Sequence, residues 1–416
     1  MWHEELVMTS IELSDRGAHA PASPIRALAS LARDRVASGT TVHYLNIGQP
    51  DVPTPHQMVQ AYRNFDDEVL AYAPSDGYPD LRAKLATWYT GIGGLHRAVH
   101  ADDIVITTGG SEALLFAMAA VTDPGDAIIV CEPYYTNYSG YAHMLAIDTV
   151  SILATADEDW RVDPARLEQV ITPKTRAIVL PSPGNPTGRV LSADEVQAIA
   201  DICRRHGLFY ISDEVYRELV YDLPEGTVAP SLFDANDADE LAIVIDSASK
   251  RWSACGARMG WLMTRNTHMR EAALRFGQAR LSPATVDQYA VSGALDIPKD
   301  WYVDMISEYR HRRDVFVQAL ADIGLRVTTP QGAFYLAVGL PLPDAEAFCH
   351  WLVTDFELDG ETVCLAPLSG FYATPGAGRN EVRLTYVLKA EILERCARIL
   401  GAALKAWASL QPTAKA

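Results

Sequence analysis

Four short fragments of the chain carry side chains whose types and spacing suit covalent and acid–base chemistry. In SASKRWSACGARMGW, Lys250 follows the apolar run LAIVI, and Arg258 stands eight residues later beside Gly256 and Gly260. A primary amine at a strand end can condense with an aldehyde, and a nearby guanidinium can grip a phosphate through paired hydrogen bonds. Taken alone, the same pair also describes a solvated surface loop. In ITTGGSEALLFAMAAV, a strand runs into Gly109 and Gly110 and then into a helix expected to begin near Ser111. Such a turn exposes unpaired N–H groups and the positive end of a helix macrodipole, which suits an anion, though it is equally an ordinary strand-to-helix connection. It is not a P-loop, because the Gly-Lys-Ser/Thr ending is missing. SPGNPTG contains Asn185, and SDEVY contains Asp213 and Tyr216. A carboxylate buried at a strand end needs a cationic partner, such as a protonated ring nitrogen. The plain alternatives are a turn for Asn-Pro-Thr-Gly and a helix N-cap for Asp213.

These fragments must be held by something rigid, and the runs around them supply it. DIVIT, DAIIV, RAIVL, LFYIS and LAIVI are short, rich in Val and Ile, and separated by helix-length segments. Runs without polar alternation suit strands buried on both faces of a mainly parallel sheet, so the middle of the chain reads as α/β. One intervening helix can be argued residue by residue. Ser192 and Glu195 form a capping-box pattern, Val196, Ile199, Ala200 and Cys203 make one apolar stripe, and Gly207 ends the helix. LFYIS then delivers Asp213 just past its C-terminal end, the edge where open α/β sheets bind ligands. Near Asp300 the pattern changes to a long charged amphipathic stretch, WYVDMISEYRHRRDVFVQALADIG, and a domain boundary is placed near its start. The Pro-rich segments PASP and NIGQPDVPTP suit an arm and a loop better than a separate core.

Composition narrows the partners. The 416 residues include 49% hydrophobic and 21% charged side chains, a globular mixture too long for one ordinary core. A formal charge of −18 opposes any general affinity for nucleic acid or anionic lipid, while leaving a local anion pocket possible. Six scattered cysteines lack the Cys-x-x-Cys spacing of a metal site and read as buried thiols of a reducing compartment. With neither a signal-peptide pattern nor a membrane-length apolar run, the chain is expected to be cytoplasmic.

Taken together, the fragments resemble the class I/II aminotransferases of pyridoxal phosphate fold type I, the aspartate aminotransferase-like members above all. The resemblance runs from NIGQPDVPTP and YAPSDGYPDLR through TTGGSEA, EPYYTNY, SPGNPTG, SDEVY and SASKRWSACGARMGW to PQGAFY and EVRLTYVL, nearly the whole chain. It implies a large domain with a mostly parallel seven-stranded sheet flanked by helices, and a smaller α+β domain. On that pattern residues 1–50 form an N-terminal arm and part of the small domain, 51–303 the large cofactor-binding domain, and 304–416 the small C-terminal domain.

By the same resemblance, Lys250 holds pyridoxal 5'-phosphate covalently and shuttles the proton, and Asp213 keeps the pyridine nitrogen protonated. Tyr216 and Asn185 bond the ring oxygen, and Tyr135, rather than Tyr134, stacks on the ring. Gly110, Ser111 and Glu112 offer backbone to the phosphate, with Ser247, Ser249 and Arg258 closing the cup. Tyr72 of YAPSDG matches a tyrosine reaching the phosphate from a neighbouring subunit, which implies a homodimer with interfacial sites. Arg383 grips the substrate carboxylate, Gly48 lets the chain approach the substrate, and the arm is expected to cover the pocket. The implied reaction moves an amino group from an L-amino acid, aspartate in the default reading, to a 2-oxo acid such as 2-oxoglutarate. No metal is implied.

Two departures, Pro-Ser-Pro-Gly before Asn185 and Trp252 close after Lys250, are expected to reshape the substrate pocket. A second basic group at the distal end would indicate a dicarboxylic substrate. Arg26 in PASPIRAL is one candidate, reading first as an exposed helix residue. Lyases and synthases of the same fold, C–S lyases or aminocyclopropane-carboxylate synthases, share the cofactor residues and form the alternative reading. A DNA-binding regulator with an aminotransferase-like domain would need a basic helix-turn-helix before NIGQPD, where only about fifty non-basic residues stand.

Overall fold

The computed structural model describes residues 11–224 and 226–410. β1 (Thr41–Tyr44) is followed by the strands of a central sheet: β2 (Ile104–Thr107), β3 (Ala127–Glu132), β4 (Asp148–Leu153), β5 (Thr175–Pro181), β6 (Phe209–Asp213), β7 (Ala242–Ser247) and β8 (Gly260–Met263). Their order is β2-β8-β7-β6-β5-β3-β4, and only β8 runs antiparallel to its neighbours. The Val/Ile runs explain this: every residue of β2, β3, β7 and β8 is buried, as a sheet covered on both faces by helices requires.

The chain passes outward from β3 to β4 and then returns to place β5 on the other side of β3. The strand order therefore reverses between β3 and β5, and the C-terminal ends there open a crevice suited to a ligand. β8 lies close against the start of the helix Gly109–Val121. A Cβ on Gly260 would come within 2.4 Å of the Gly109 carbonyl carbon and the Gly110 nitrogen, so only glycine allows this approach.

The helix Ala193–His206 has the capping box at Ser192 and Glu195, and Gly207 ends it at φ 65° in the left-handed region. Its stripe Val196, Ile199, Ala200 and Cys203 is buried as expected, joined by Ile202. Two details differ from the sequence reading. Asp213 is the last residue of β6 rather than one beyond it, and the glycine-rich helix begins at Gly109 rather than near Ser111. In both, backbone pairing extends one or two residues further than side-chain pattern reveals.

A second layer carries β9 (Tyr335–Gly339), β10 (Glu361–Cys364), β11 (Ala366–Pro367) and β12 (Glu381–Thr385). β11, β12 and β9 form an antiparallel sheet in that order, while β10 pairs in parallel with β1 from the far end of the sequence. The charged amphipathic stretch is the helix Lys299–Asp322, which packs along the helix Ala390–Leu410. Among the described residues no helix is long and apolar enough to cross a membrane, and no cluster of His, Cys, Asp and Glu is arranged to hold a metal.

Candidate active site

A cavity of about 540 Å³ opens at the C-terminal ends of the parallel strands. Gly110 and Ser111 reach it after β2, Tyr135 and Tyr138 after β3, Asn185 after β5, Asp213 from β6 and Lys250 after β7. The turn after β2 presents the unpaired N–H groups of the helix Gly109–Val121, whose N-cap Thr108 makes no side-chain cap bond. Ser247, Ser249 and Arg258 line the same part of the cavity. Arg258 adopts a left-handed φ of 50° and crosses the glycine turn so closely that a Cβ on Gly109 would lie 2.6 Å from its Nη2. N–H groups, hydroxyls and a guanidinium converging on one end make an anion cradle.

Lys250 stands on the four-residue helix Ala248–Arg251, capped by the Ser247 hydroxyl, which accepts the Ser249 N–H. Its neighbour Arg251 fixes the helix from behind: it is fully buried and bonds Asp246 at 2.5 Å and Glu218 at 2.8 Å. Its guanidinium also lies 4.5 Å from the Trp88 ring. Lys250 itself is half-buried. Nζ donates to the Gly48 carbonyl at 2.6 Å and lies 3.7 Å from Cys255 Sγ. Gly48 is needed here because a Cβ would fall 1.9 Å from the Tyr335 hydroxyl.

Asp213 is buried, and Tyr138 donates to its Oδ2 at 2.9 Å, while Oδ1 has no hydrogen-bond partner. Burial pushes this carboxyl up to about 6, against the opposing pull of the Tyr138 hydroxyl. A half-satisfied, desolvated carboxylate at the cavity wall is a strong acceptor for a cation or an N–H.

At the other side, Arg383 from β12 is buried and donates to Asn185 Oδ1 at 3.0 Å and to the Asn46 carbonyl at 2.5 Å, leaving Nε unpartnered. Its guanidinium lies 4.6 Å from the Tyr335 ring centroid, and desolvation lowers its pKa from the ordinary value. Because Asn185 Oδ1 accepts from Arg383, its amide nitrogen remains a free donor. The Tyr216 hydroxyl lies 2.7 Å from that of Tyr335, and burial raises its pKa well above the usual phenol value.

The structure thus brings Lys250, Asp213, Tyr216, Gly110, Ser111, Tyr135, Asn185, Ser247, Ser249, Arg258, Gly48 and Arg383 around one cavity. Glu112 and Tyr72 do not line it. The Glu112 carboxylate accepts from the Thr108 N–H at 2.7 Å and pairs with Arg280 at 3.3 Å, and Tyr72 is 79% exposed. Tyr134 packs in the core beneath, with Tyr135 facing the cavity.

Trp252 corrects an expectation. It is buried against Trp261 and Trp88, donates to the Tyr302 hydroxyl at 2.8 Å, and does not line the pocket, since one residue beyond Arg251 on this short helix the direction is into the core. Cys255 corrects another: unlike the other five thiols it is only half-buried, because it borders the cavity. Arg26 is exposed, as read, yet it also lines the cavity with Ser23 and Ile25. The partners Tyr138 and Tyr335 went unassigned, although both lie inside motifs already singled out, EPYYTNY and PQGAFY.

The aminotransferase class I and II family model matches residues 40–400. The chain is 31% identical over 376 residues to the aspartate/prephenate aminotransferase of Thermus thermophilus, spanning 88% of this chain and 92% of that protein. It is 28% identical over 390 residues to the aspartate aminotransferase of Geobacillus stearothermophilus, spanning 92% and 96%. Among solved structures, the aspartate aminotransferase from Thermus thermophilus with maleate superposes with a TM-score of 0.85 at 28% identity, covering 95% of this chain and all of that one.

Proposed function

Since the chain belongs to the class I and II aminotransferases and is a transferase of amino groups, we propose that it uses pyridoxal 5'-phosphate on Lys250 to move the amino group of aspartate or glutamate to a 2-oxo acid such as 2-oxoglutarate. The carrying observation is that Lys250 Nζ and the unpartnered Oδ1 of buried Asp213 share one cavity with an anion cradle. These residues fit the cofactor. The cradle of Gly110, Ser111, Ser247, Ser249 and Arg258 suits its phosphate, and Asp213 suits its ring nitrogen. Tyr135 offers an aromatic face, and the Asn185 amide with the Tyr216 hydroxyl offers donors to its ring oxygen. When bound, pyridoxal phosphate supplies an aldehyde and an electron-withdrawing ring.

The chain's own residues do the rest. Arg383 holds the α-carboxylate of the substrate through a planar fork, and Asn185 keeps that fork in plane. Lys250 would hold the cofactor through Nζ, and the same amine is the group placed to take the proton from the substrate Cα and return it. Asp213 stays ionised beside a cationic ring nitrogen although burial alone opposes this. Tyr335 ties Tyr216 to Arg383 across the cavity, and the arm residues Ser23 and Ile25 help to keep water out.

The relatives' names support the aspartate class of donor, and the net charge supports small-molecule partners rather than nucleic acid or membrane. Exposed Tyr72 with Val69 and Leu70 supports a homodimer in which Tyr72 reaches the partner's phosphate cradle. Residues 51–303 form the cofactor-binding domain and 304–416 the small domain, which residues 1–50 complete, and the enzyme works in the cytoplasm.

Borohydride added to the holoenzyme is expected to fix the cofactor on Lys250 Nζ, so that peptide mass analysis finds one modified peptide, the one carrying residue 250. An unmodified residue 250 with excess cofactor present overturns the reading. Amino acid added without acceptor is expected to convert bound cofactor stoichiometrically to its amine form, whereas a lyase returns it to the aldehyde. Arg383→Lys, which keeps the charge and loses the fork, is expected to lower kcat/KM by about 10²-fold for every amino donor, measured by steady-state kinetics.

A further inference from the structure

We infer that Glu132 is a positioning residue: from the central sheet it clamps the loop that packs on Arg383, and so sets the affinity of the site for its substrates without touching them. The inference rests on the amino-transfer reading of this cavity, which assigns Arg383 to the substrate. Glu132 ends β3, three residues before Tyr135, and is fully buried. Its Oε1 accepts three hydrogen bonds, from the Ser151 hydroxyl at 2.6 Å, the Ala373 N–H at 2.6 Å and the Thr374 N–H at 2.9 Å. The first comes from β4 in the same sheet, while the other two come from 241 and 242 residues further along the chain, in the second layer. Burying a carboxylate is costly unless donors gather on it, and bonds to a charged acceptor are about twice as strong as those to a neutral one.

The clamped loop leads directly to the cavity. It leaves the short turn Ser369–Phe371 and lies along the end of β3, where the Tyr134 N–H also donates to the Phe371 carbonyl at 3.0 Å. Phe371 is buried, with its ring centroid 5.3 Å from the Arg383 guanidinium. The Tyr372 hydroxyl donates to Glu381 Oε2 at 2.5 Å, two residues before Arg383 on β12. The loop thus meets Glu132 and the Tyr135 segment on one side and the strand of Arg383 on the other.

Apolar contact also joins the two layers, but it does not fix how they register. Trp160, in the loop that follows β4, is buried among Ala337, Leu368 and Phe371, and such burial is non-directional. The bonds to Glu132 supply the direction. Ala373 and Thr374 are exposed, so without this carboxylate their N–H groups turn to water and the loop is released with them. Glu132 Oε2 has no hydrogen-bond partner, so the whole clamp hangs on Oε1, and an amide oxygen in that place can accept the same bonds. A loop that is in place only part of the time lowers the apparent affinity by the fraction of chains that are competent and leaves the bound complex as it was.

The test compares Glu132→Ala, Glu132→Gln and Ser151→Ala as holoenzymes. Glu132→Ala is expected to raise KM for aspartate and for 2-oxoglutarate by about 10- to 100-fold, the range for lost charge-assisted hydrogen bonds, with kcat unchanged. Glu132→Gln, which keeps an acceptor at the Oε1 position, is expected to recover most of that affinity, and Ser151→Ala, which removes the donor within the sheet, to leave KM at the wild-type value. In the cofactor-free protein, amide hydrogen exchange at Ala373 and Thr374 is expected to be slow in wild type and Glu132→Gln and fast in Glu132→Ala, a readout independent of turnover. An unchanged KM in a folded Glu132→Ala protein, a loss that falls on kcat instead, or equal rises in KM for Glu132→Ala and Ser151→Ala would each overturn the assignment. Where Glu132→Ala does not fold, the exchange rates decide, because fast exchange at Ala373 and Thr374 in wild type overturns it as well. The amino-transfer reading fails separately, only if residue 250 takes no cofactor or no amino group is transferred at all.

Discussion

Lys250→Ala is expected to lower kcat for amino-group transfer by about 10⁴-fold, since it removes both the covalent anchor and the group placed to carry the proton, and general acid–base catalysis alone is worth up to about that factor. The loss should fall on kcat rather than on KM, because Arg383, Asn185 and the anion cradle keep their positions. The fold should survive. The side chain is half-buried on a short helix whose anchorage comes from its neighbour Arg251, and the substitution removes one hydrogen bond to the Gly48 carbonyl, worth about 1–3 kcal/mol. Single-turnover kinetics with aspartate, together with a thermal melt, checks both halves. A variant turning over within tenfold of wild type would remove Lys250 from the chemistry.

Asp213→Asn is expected to reduce kcat by about 10²- to 10⁴-fold while making the cofactor-free protein more stable at neutral pH. The first effect follows from stranding a ring cation without its buried counter-charge, a change that costs about 3–5 kcal/mol. The second follows from linkage. Burial raises the Asp213 carboxyl from its ordinary 3.8 to about 6 in the fold. The folded state therefore holds this proton more tightly than the unfolded chain does. Stability from this group is present below the unfolded pKa and is lost as pH rises through the folded one, so the loss develops between about pH 4 and 6 and is complete above. A shift of about two units corresponds to about 3 kcal/mol at pH 7. Melting curves of wild type and variant at pH 4.5 and 8 should diverge at the higher pH, with the variant ahead. Equal pH trends for the two proteins would refute the buried-charge account. A site thus stores its cost in the empty fold and recovers it on binding a cation.

Much of this was legible in the sequence, for a physical reason. The Val/Ile runs are buried as strands covered on both faces, and Ser192, Glu195 and Gly207 mark a helix by chemistry that acts within a few residues. The strands of one parallel sheet then deliver their C-terminal ends to one edge, so Lys250, Asp213 and Asn185, each at the end of such a run, had to converge. What stayed hidden depends on contacts between distant parts of the chain. Tyr138 meets Asp213 across 75 residues, and Tyr216 meets Tyr335 across 119. Trp252 and Cys255 show the same limit at short range: on a four-residue helix and its exit turn, which side chain faces core or cavity is settled by the packing of Arg251 against Trp88, not by periodicity. Arg26 was visible only as a charge in an arm, because its place at the cavity depends on Pro24 meeting Gly370.

The parallel pairing of Thr41 with Glu361 and of Tyr44 with Cys364 makes a topological demand on biogenesis. An early strand waits for a partner 320 residues downstream, 361 less 41, so the Arg383 layer can be finished only after nearly all of the chain has emerged from the ribosome. Until then β1 is an unpaired edge, and a nascent chain stalled before Glu361 would be a natural client for chaperones.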